Sequence, residues 1–266
     1  DHRDLHSFPT RRSSDLNTVC ENARCPNKNE CYTKHTATFL IMGGVCTRNC
    51  KYCNISCQKP EPLDVDEPKH IAKAVKDLGL KYAVITSVTR DDLPDGGAEH
   101  FAKCIEEIRK ISPDTKIEIL TPDFKGNIES LNTIIKAHPD VFNHNIEAVR
   151  GIFKTVRPQG NYDVSLSVLK YIKENSDIKT KSGLIIGLGE NFEQIKETFV
   201  DLYNVGCDIL TVGQYIQPSK EHYPVGKYYK PEEYEELKKL ATSVGIKHSQ
   251  IGPLVRSSYN AASLME

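Results

Sequence analysis

Short β-rich runs alternate along the chain with stretches whose apolar residues recur every three or four positions. The runs are Thr38–Gly43, Tyr82–Val88, Lys116–Thr121, Val141–Glu147, Lys181–Leu188 and Ile209–Tyr215. Between the first two, Ile71, Ala74, Val75 and Leu78 follow the i, i+3, i+4, i+7 spacing of one helix face, with Asp66 as N-cap and Gly79 as stop. The next helices carry Phe101, Ile105 and Ile108, then Ile128, Leu131, Ile134 and Ile135 after Asn127. Leu166, Leu169 and Ile172 follow Asp163, and Phe192, Ile195, Phe199 and Leu202 end at Gly206. The last set, Tyr234, Leu237, Leu240 and Ala241, lies between Pro231 and Gly245. Six β–α units in succession predict an α/β protein with a parallel sheet. No glycine-rich dinucleotide fingerprint follows the first strand, so a partial (β/α)6 barrel is expected over 38–250. A cysteine-rich arm over 17–37 precedes it, and a tail over 251–266 follows.

Barrel enzymes build their sites at the C-terminal ends of the strands. Here those ends read Gly43-Gly44, Thr86-Ser87, Thr121-Pro122-Asp123, Asn143–Glu147, Gly187–Glu190 and Gln214–Gln217. Polar residues and glycines at so many of them place the site on this rim.

Composition adds one anomaly. The 266 residues carry a formal net charge of −1, which gives no general electrostatic reason to bind nucleic acid or membrane. The apolar runs are strand-sized, so no membrane span and no signal peptide are read. The anomaly is nine cysteines, seven of them between Cys20 and Cys57. A chain this long needs no disulfide framework, so metal binding in a reducing compartment is the expectation. Residues 1–16 show neither period, and Ser7–Leu16 resembles a sequencing adapter translated in frame. That segment is expected to be a non-native, disordered tail, with the true N-terminus missing. The localisation expected is cytoplasmic, mitochondrion and plastid staying open for that reason.

Cys46, Cys50 and Cys53 form Cys-x3-Cys-x2-Cys directly after the first strand. Structural zinc sites are closed by a fourth ligand. Three thiolates fit a 4Fe–4S cluster with one iron left for a chelating small molecule; a zinc site or chance thiols are the alternative. With Tyr52 before the last cysteine, this loop resembles that of the radical S-adenosylmethionine superfamily. A second triplet, Cys20, Cys25 and Cys31, forms Cys-x4-Cys-x5-Cys fifteen residues earlier. Together the triplets resemble the lipoyl synthase family. The likeness runs from Asn17 to the end through Thr86–Gly97, Asn143–Glu147, Arg157-Pro158, Lys181–Glu190, Gly213–Ser219 and Arg256–Tyr259. Two departures are Tyr32, where the family usually has tryptophan, and residues 1–16 in place of a native leading segment.

The resemblance implies a barrel of the radical S-adenosylmethionine type and two 4Fe–4S clusters. One is on Cys46, Cys50 and Cys53; the other, auxiliary, is on Cys20, Cys25, Cys31 and Ser258. The first cluster would donate an electron to bound S-adenosylmethionine, because the reaction, sulfur insertion at carbons six and eight of a protein-bound octanoyl chain, meets unactivated C–H bonds. The second would be consumed as sulfur donor. The implied partners are an octanoylated lipoyl carrier domain or glycine-cleavage H protein, a reductant such as ferredoxin or flavodoxin, and an iron–sulfur carrier for cluster repair.

By strand-end position, Asn145, Glu147 and the Thr86–Asp92 segment, with Thr86 and Ser87 at its start, are expected to hold the nucleotide's polar edge, and Gly187 and Gly189 to let it approach the backbone. By analogy Arg157 is expected to hold a carboxylate of substrate or cofactor. Cys104 and Cys207 read as small buried side chains, Cys57 as a bystander, and His144 as a satisfied histidine supporting its neighbours. The competing readings are a different radical sulfur insertase, and a zinc-stabilised module or iron–sulfur carrier without catalysis.

Overall fold

A computed structural model describes residues 17–18, 27–33, 35–259 and 261. Strand β1 (Asn17–Thr18) and helix α1 (Lys28–Thr33) belong to the arm. Then come β2 (Thr36–Ile41) and a two-stranded ribbon, β3 (Val45–Cys46) with β4 (Ser56–Cys57). The repeating part follows as α2 (Glu67–Asp77), β5 (Tyr82–Ser87), α3 (Ala98–Ile111), β6 (Lys116–Leu120), α4 (Ile128–Ala137) and β7 (Val141–Asn143). It ends with α5 (Arg150–Val156), α6 (Tyr162–Asn175), β8 (Lys179–Ile186), α7 (Phe192–Asn204), β9 (Ile209–Gln214), α8 (Pro231–Val244) and β10 (His248–Gly252).

The main sheet has the order β1-β2-β5-β6-β7-β8-β9-β10. All pairs are parallel except β1 with β2. The six expected strands are all present, and β10 adds a seventh parallel strand. The fourth run is shorter than its pattern predicts: β7 stops at Asn143, and Glu147 returns as an isolated bridge to Leu184. The helix α5 lies in a stretch where no helix was expected.

Alternation along the strands divides the side chains between two faces. Ala83 and Ile85 of β5 join Phe39, Phe101, Ile105 and Ile108 in the main core between sheet and helices. Tyr82 and Val84 face the other way and pack with Ala261 near the chain's end. The inner face is polar at depth. Lys181 Nζ donates to Glu118 Oε1 and Oε2 at 2.9 and 3.0 Å, Tyr82 Oη donates to Oε2 at 2.8 Å, and Asn143 Nδ2 to Oε1 at 2.9 Å. Both charged side chains are 0% exposed. A buried charge survives only if paired and hydrogen-bonded, and this cluster meets that condition.

Helix starts follow the capping chemistry, with one exception. Asn127 caps α4 and Asn191 caps α7 through a full capping box with Gln194. Asn161 caps α6, its side-chain oxygen accepting from the amides of Asp163 and Val164. Asp66 holds the cap position of α2, yet its carboxylate binds Lys69 instead of a helix amide. Among the described residues, no helix is long and apolar enough to cross a membrane.

Candidate active site

The loop after β2 carries Cys46, Cys50 and Cys53, all half-buried free thiols. Backbone contacts from several elements hold it. Thr47 N donates to Thr89 O at 3.0 Å, Lys51 N to Val156 O at 2.8 Å, and Tyr223 N to Lys51 O at 2.9 Å. His222 Nε2 lies 3.2 Å from Cys53 O. The segment 217–225 thus reaches the loop from the far side of the sheet, beyond β9. Cys46 Sγ accepts from two amides, Arg48 N at 3.4 Å and Thr89 N at 3.3 Å. Burial pushes the Cys50 thiol up and the Cys53 thiol to about 11, with Cys46 and Glu147 raising both further. Iron must displace those protons, so loading is pH-dependent. Among the described residues, no trio of Cys, His, Asp or Glu closes tightly around a single ion.

The rim opposite is built on the bend after β7. Glu147 takes a left-handed backbone, φ +68°, unusual for a residue with a side chain. Asn145 Nδ2 donates to Glu147 Oε1 at 3.1 Å and to Ser257 Oγ at 2.7 Å. Arg157 Nη1 donates to Asn145 O at 3.2 Å. Burial pushes the Glu147 carboxyl up, opposed by the Arg157 charge and the Asn145 hydrogen bond. Tyr52, pushed well up by burial and then by Glu147, belongs to the same charge cluster as Arg157 and Cys50. The cluster loop and the rim therefore face one another.

Two buried polar atoms here lack partners: Asn145 Oδ1 and Arg157 Nε. Buried polar atoms are rarely left so, and an unmet pair beside a carboxylate fits a polar ligand. Its matching donors and acceptors are those of an amino acid's ammonium and carboxylate. Gly183 makes the arrangement possible, because a Cβ there would lie 2.6 Å from Asn145 Oδ1.

The other expected residues divide. Thr86 is on the inner face, but its hydroxyl donates to Leu120 O at 3.0 Å and is already used. Ser87, on the opposite parity, has a buried hydroxyl without a partner. Gly187 has φ +99°, and a Cβ there would collide with the Gln214 side chain and the Lys227 carbonyl. Its missing side chain makes room for Gln214 and the Lys227 carbonyl of the chain itself. His144 is satisfied as expected, with Nδ1–H donating to Thr121 O and Nε2 accepting from Ser165 Oγ, both at 2.9 Å. Cys104 and Cys207 are buried, and Cys57 is exposed.

Cys20 and Cys25 lie outside the described residues. Cys31 is on α1, and α1 is tied to the segment that carries Ser258. Asn27 Nδ2 donates to Leu254 O at 2.8 Å, and Tyr259 Oη reaches Glu30 Oε2 at 3.1 Å. Ser257 in turn meets Asn145 on the rim. The arm, the C-terminal segment and the rim are thus joined. Sequence reasoning missed Arg48, whose buried guanidinium pairs with Asp91 and Asp123 behind the cluster loop. Burial works to raise the Asp123 carboxyl, but its bonds to Arg48 outweigh this and hold it low.

The fold and this rim define a class. The Radical SAM superfamily pattern matches residues 40–202. Solved structures agree on the fold: Streptococcus suis SuiB superposes with a TM-score of 0.61 over 86% of this chain and 53% of its own, at 13% identity. Methylornithine synthase (PylB) gives 0.58 over 77% and 62%, at 12% identity. Within that class the relatives are much closer in sequence. A lipoyl synthase of Caldicellulosiruptor saccharolyticus is 54% identical over 92% of this chain and 87% of its own. One of Rubrobacter xylanophilus is 52% identical over 95% and 79%. The chain belongs to the lipoyl synthase family of radical S-adenosylmethionine proteins.

Proposed function

We infer that the chain is a sulfurtransferase that inserts two sulfur atoms at carbons six and eight of an octanoyl chain carried on a lysine of a lipoyl carrier domain. Cys46, Cys50 and Cys53 would hold the radical-generating 4Fe–4S cluster. Asn145, Glu147 and Arg157, with Tyr52 beside them and Ser87 at the end of β5, would hold S-adenosylmethionine. Cys20, Cys25, Cys31 and Ser258 would hold the auxiliary 4Fe–4S cluster. When bound, these groups supply the one-electron chemistry that unactivated C–H bonds require, and the sulfur.

The chain's own share is positioning and exclusion of water. Asn145 Oδ1 and the Glu147 carboxylate offer acceptors to an ammonium, and Arg157 Nε offers a donor to a carboxylate. An ammonium beside Glu147 would offset the burial that raises its carboxyl and so favour its charged form. Tyr52 packs with Ala148, Val156, Leu188 and Tyr215, shielding the loop from solvent. A serine oxygen is a harder ligand for iron than a thiolate and holds it more weakly, which suits a cluster that must come apart.

The observation that carries this reading is the pair of bonds from the C-terminal segment: Ser257 to Asn145, and Tyr259 to Glu30 one residue from Cys31. They support the reading by tying the helix of Cys31 and the segment of Ser258 to one another and to the rim. A reductant such as ferredoxin or flavodoxin, the glycine-cleavage H protein as a carrier, an iron–sulfur carrier for repair, and a cytoplasmic setting belong to the same reading.

Anaerobic reconstitution tests it. Wild-type protein should bind about eight irons, and Ser258→Ala or Cys31→Ala should keep about four with S-adenosylmethionine cleavage intact. With an octanoylated carrier peptide and dithionite, a 6-thio-octanoyl intermediate should accumulate before product. Glu147→Gln should weaken S-adenosylmethionine binding at least tenfold without loss of iron. A colourless zinc protein, or full sulfur insertion by Ser258→Ala, would sink the reading.

A further inference from the structure

The ion-pair group behind the cluster loop has no part in the reading so far. Arg48 stands between Cys46 and Cys50 in sequence, and its side chain is 4% exposed. Its guanidinium makes two forks. Nε and Nη2 donate to Asp91 Oδ2 and Oδ1 at 2.7 and 2.9 Å, and Nη1 and Nη2 donate to Asp123 Oδ2 and Oδ1 at 2.7 Å each. Asp91 follows β5 and Asp123 follows β6, so one side chain braces the loop after β2 against the next two strand ends. Lys125 also faces this group, its Nζ 3.7 Å from Asp91 Oδ1 and its amide 3.0 Å from Asp123 Oδ1. Two cations therefore balance two carboxylates.

The brace acts on a specific sulfur. Cys46 Sγ accepts from the amides of Arg48 and Thr89, and those residues belong to the two loops being joined. Thr47 couples them again: its hydroxyl donates to Thr89 O at 2.9 Å and accepts from Asp91 N at 3.0 Å. Hydrogen bonds to a ligand sulfur withdraw electron density and favour the reduced state of a cluster. A planar two-forked brace is a geometry that arginine provides and lysine cannot.

We propose that Arg48 is a positioning residue: forked between Asp91 and Asp123, it holds the Arg48 and Thr89 amides on Cys46 Sγ and so raises the reduction potential of the cluster bound there. This rests on the reading that Cys46, Cys50 and Cys53 ligate a cluster. Arg48→Lys keeps the charge and loses the forks, so it separates geometry from electrostatics.

The test is a potentiometric titration of the reconstituted protein, followed by the paramagnetic signal of the reduced cluster, with Ser258→Ala as background so that a single cluster is read. Arg48→Lys should retain iron and shift the midpoint to a more negative value. Thr47→Val, which removes only the bridging hydroxyl, should shift it the same way by less, and it decides the matter if Arg48→Lys does not fold. A midpoint equal to or above that of the parent, in a folded and iron-loaded variant, overturns the role of Arg48 alone. Parent protein that holds no reducible cluster on the three thiolates overturns the underlying reading as well.

Discussion

His144 lies out of solvent between a carbonyl and a hydroxyl, and that setting decides its protonation. Burial, joined by the nearby Arg157 charge, pushes its imidazole down to about 4. A neutral ring is also what its partners require, since Nδ1 must donate and Nε2 must accept. In the unfolded chain the same side chain titrates near 6.5. Because the folded value is depressed, the contribution to stability is present above about pH 6.5 and is lost as pH falls toward 4. Over that interval the unfolded state takes up a proton that the folded state refuses, a loss of about 3 kcal/mol. Urea unfolding of wild type and His144→Asn at pH 7 and pH 4.5 checks this: the variant should lose most of that extra pH dependence. Arg48 shows the opposite limit of what single residues reveal. Its partners lie 43 and 75 positions away, and nothing local distinguishes an arginine that will be buried from one that will stay in water. The cysteines were legible because their spacing is itself the signal.

Elements were legible wherever a local pattern matched the environment. Strands β5, β6 and β8 are runs rich in β-branched residues, and α3, α4 and α7 place their apolar stripes on the core. Strand β10 has neither advantage. Its sequence, His248-Ser249-Gln250-Ile251-Gly252, is half polar, and it is a strand because β9 supplies a parallel edge to pair with. Helix α5 has only seven residues, too few to show a period. Capping also gives a measurable prediction. Asn127 accepts from the amides of Glu129 and Ser130, and Asn127→Ala should cost about 1 kcal/mol in urea unfolding with no change in bound iron.

At the scale of the molecule, the inner face of the sheet is where stability and site meet. Glu118, Lys181, Tyr82 and Asn143 fill its depth, below the rim that carries Asn145 and Glu147. Removing one partner of such a pair strands a charge in the interior. Lys181→Met should therefore lower unfolding stability by about 3–5 kcal/mol, measured by denaturant titration of the reconstituted protein. Its effect on turnover should follow the folded fraction.

The bonds between the arm and the C-terminal segment join residues that are 227 and 229 positions apart in the chain. Contacts so distant in sequence carry the largest closure cost, and they form once nearer pairings have drawn the ends together. They also set an order in biosynthesis. Glu30 is translated 229 residues ahead of Tyr259, so the tie between α1 and that segment closes only after every strand from β2 to β10 has been made.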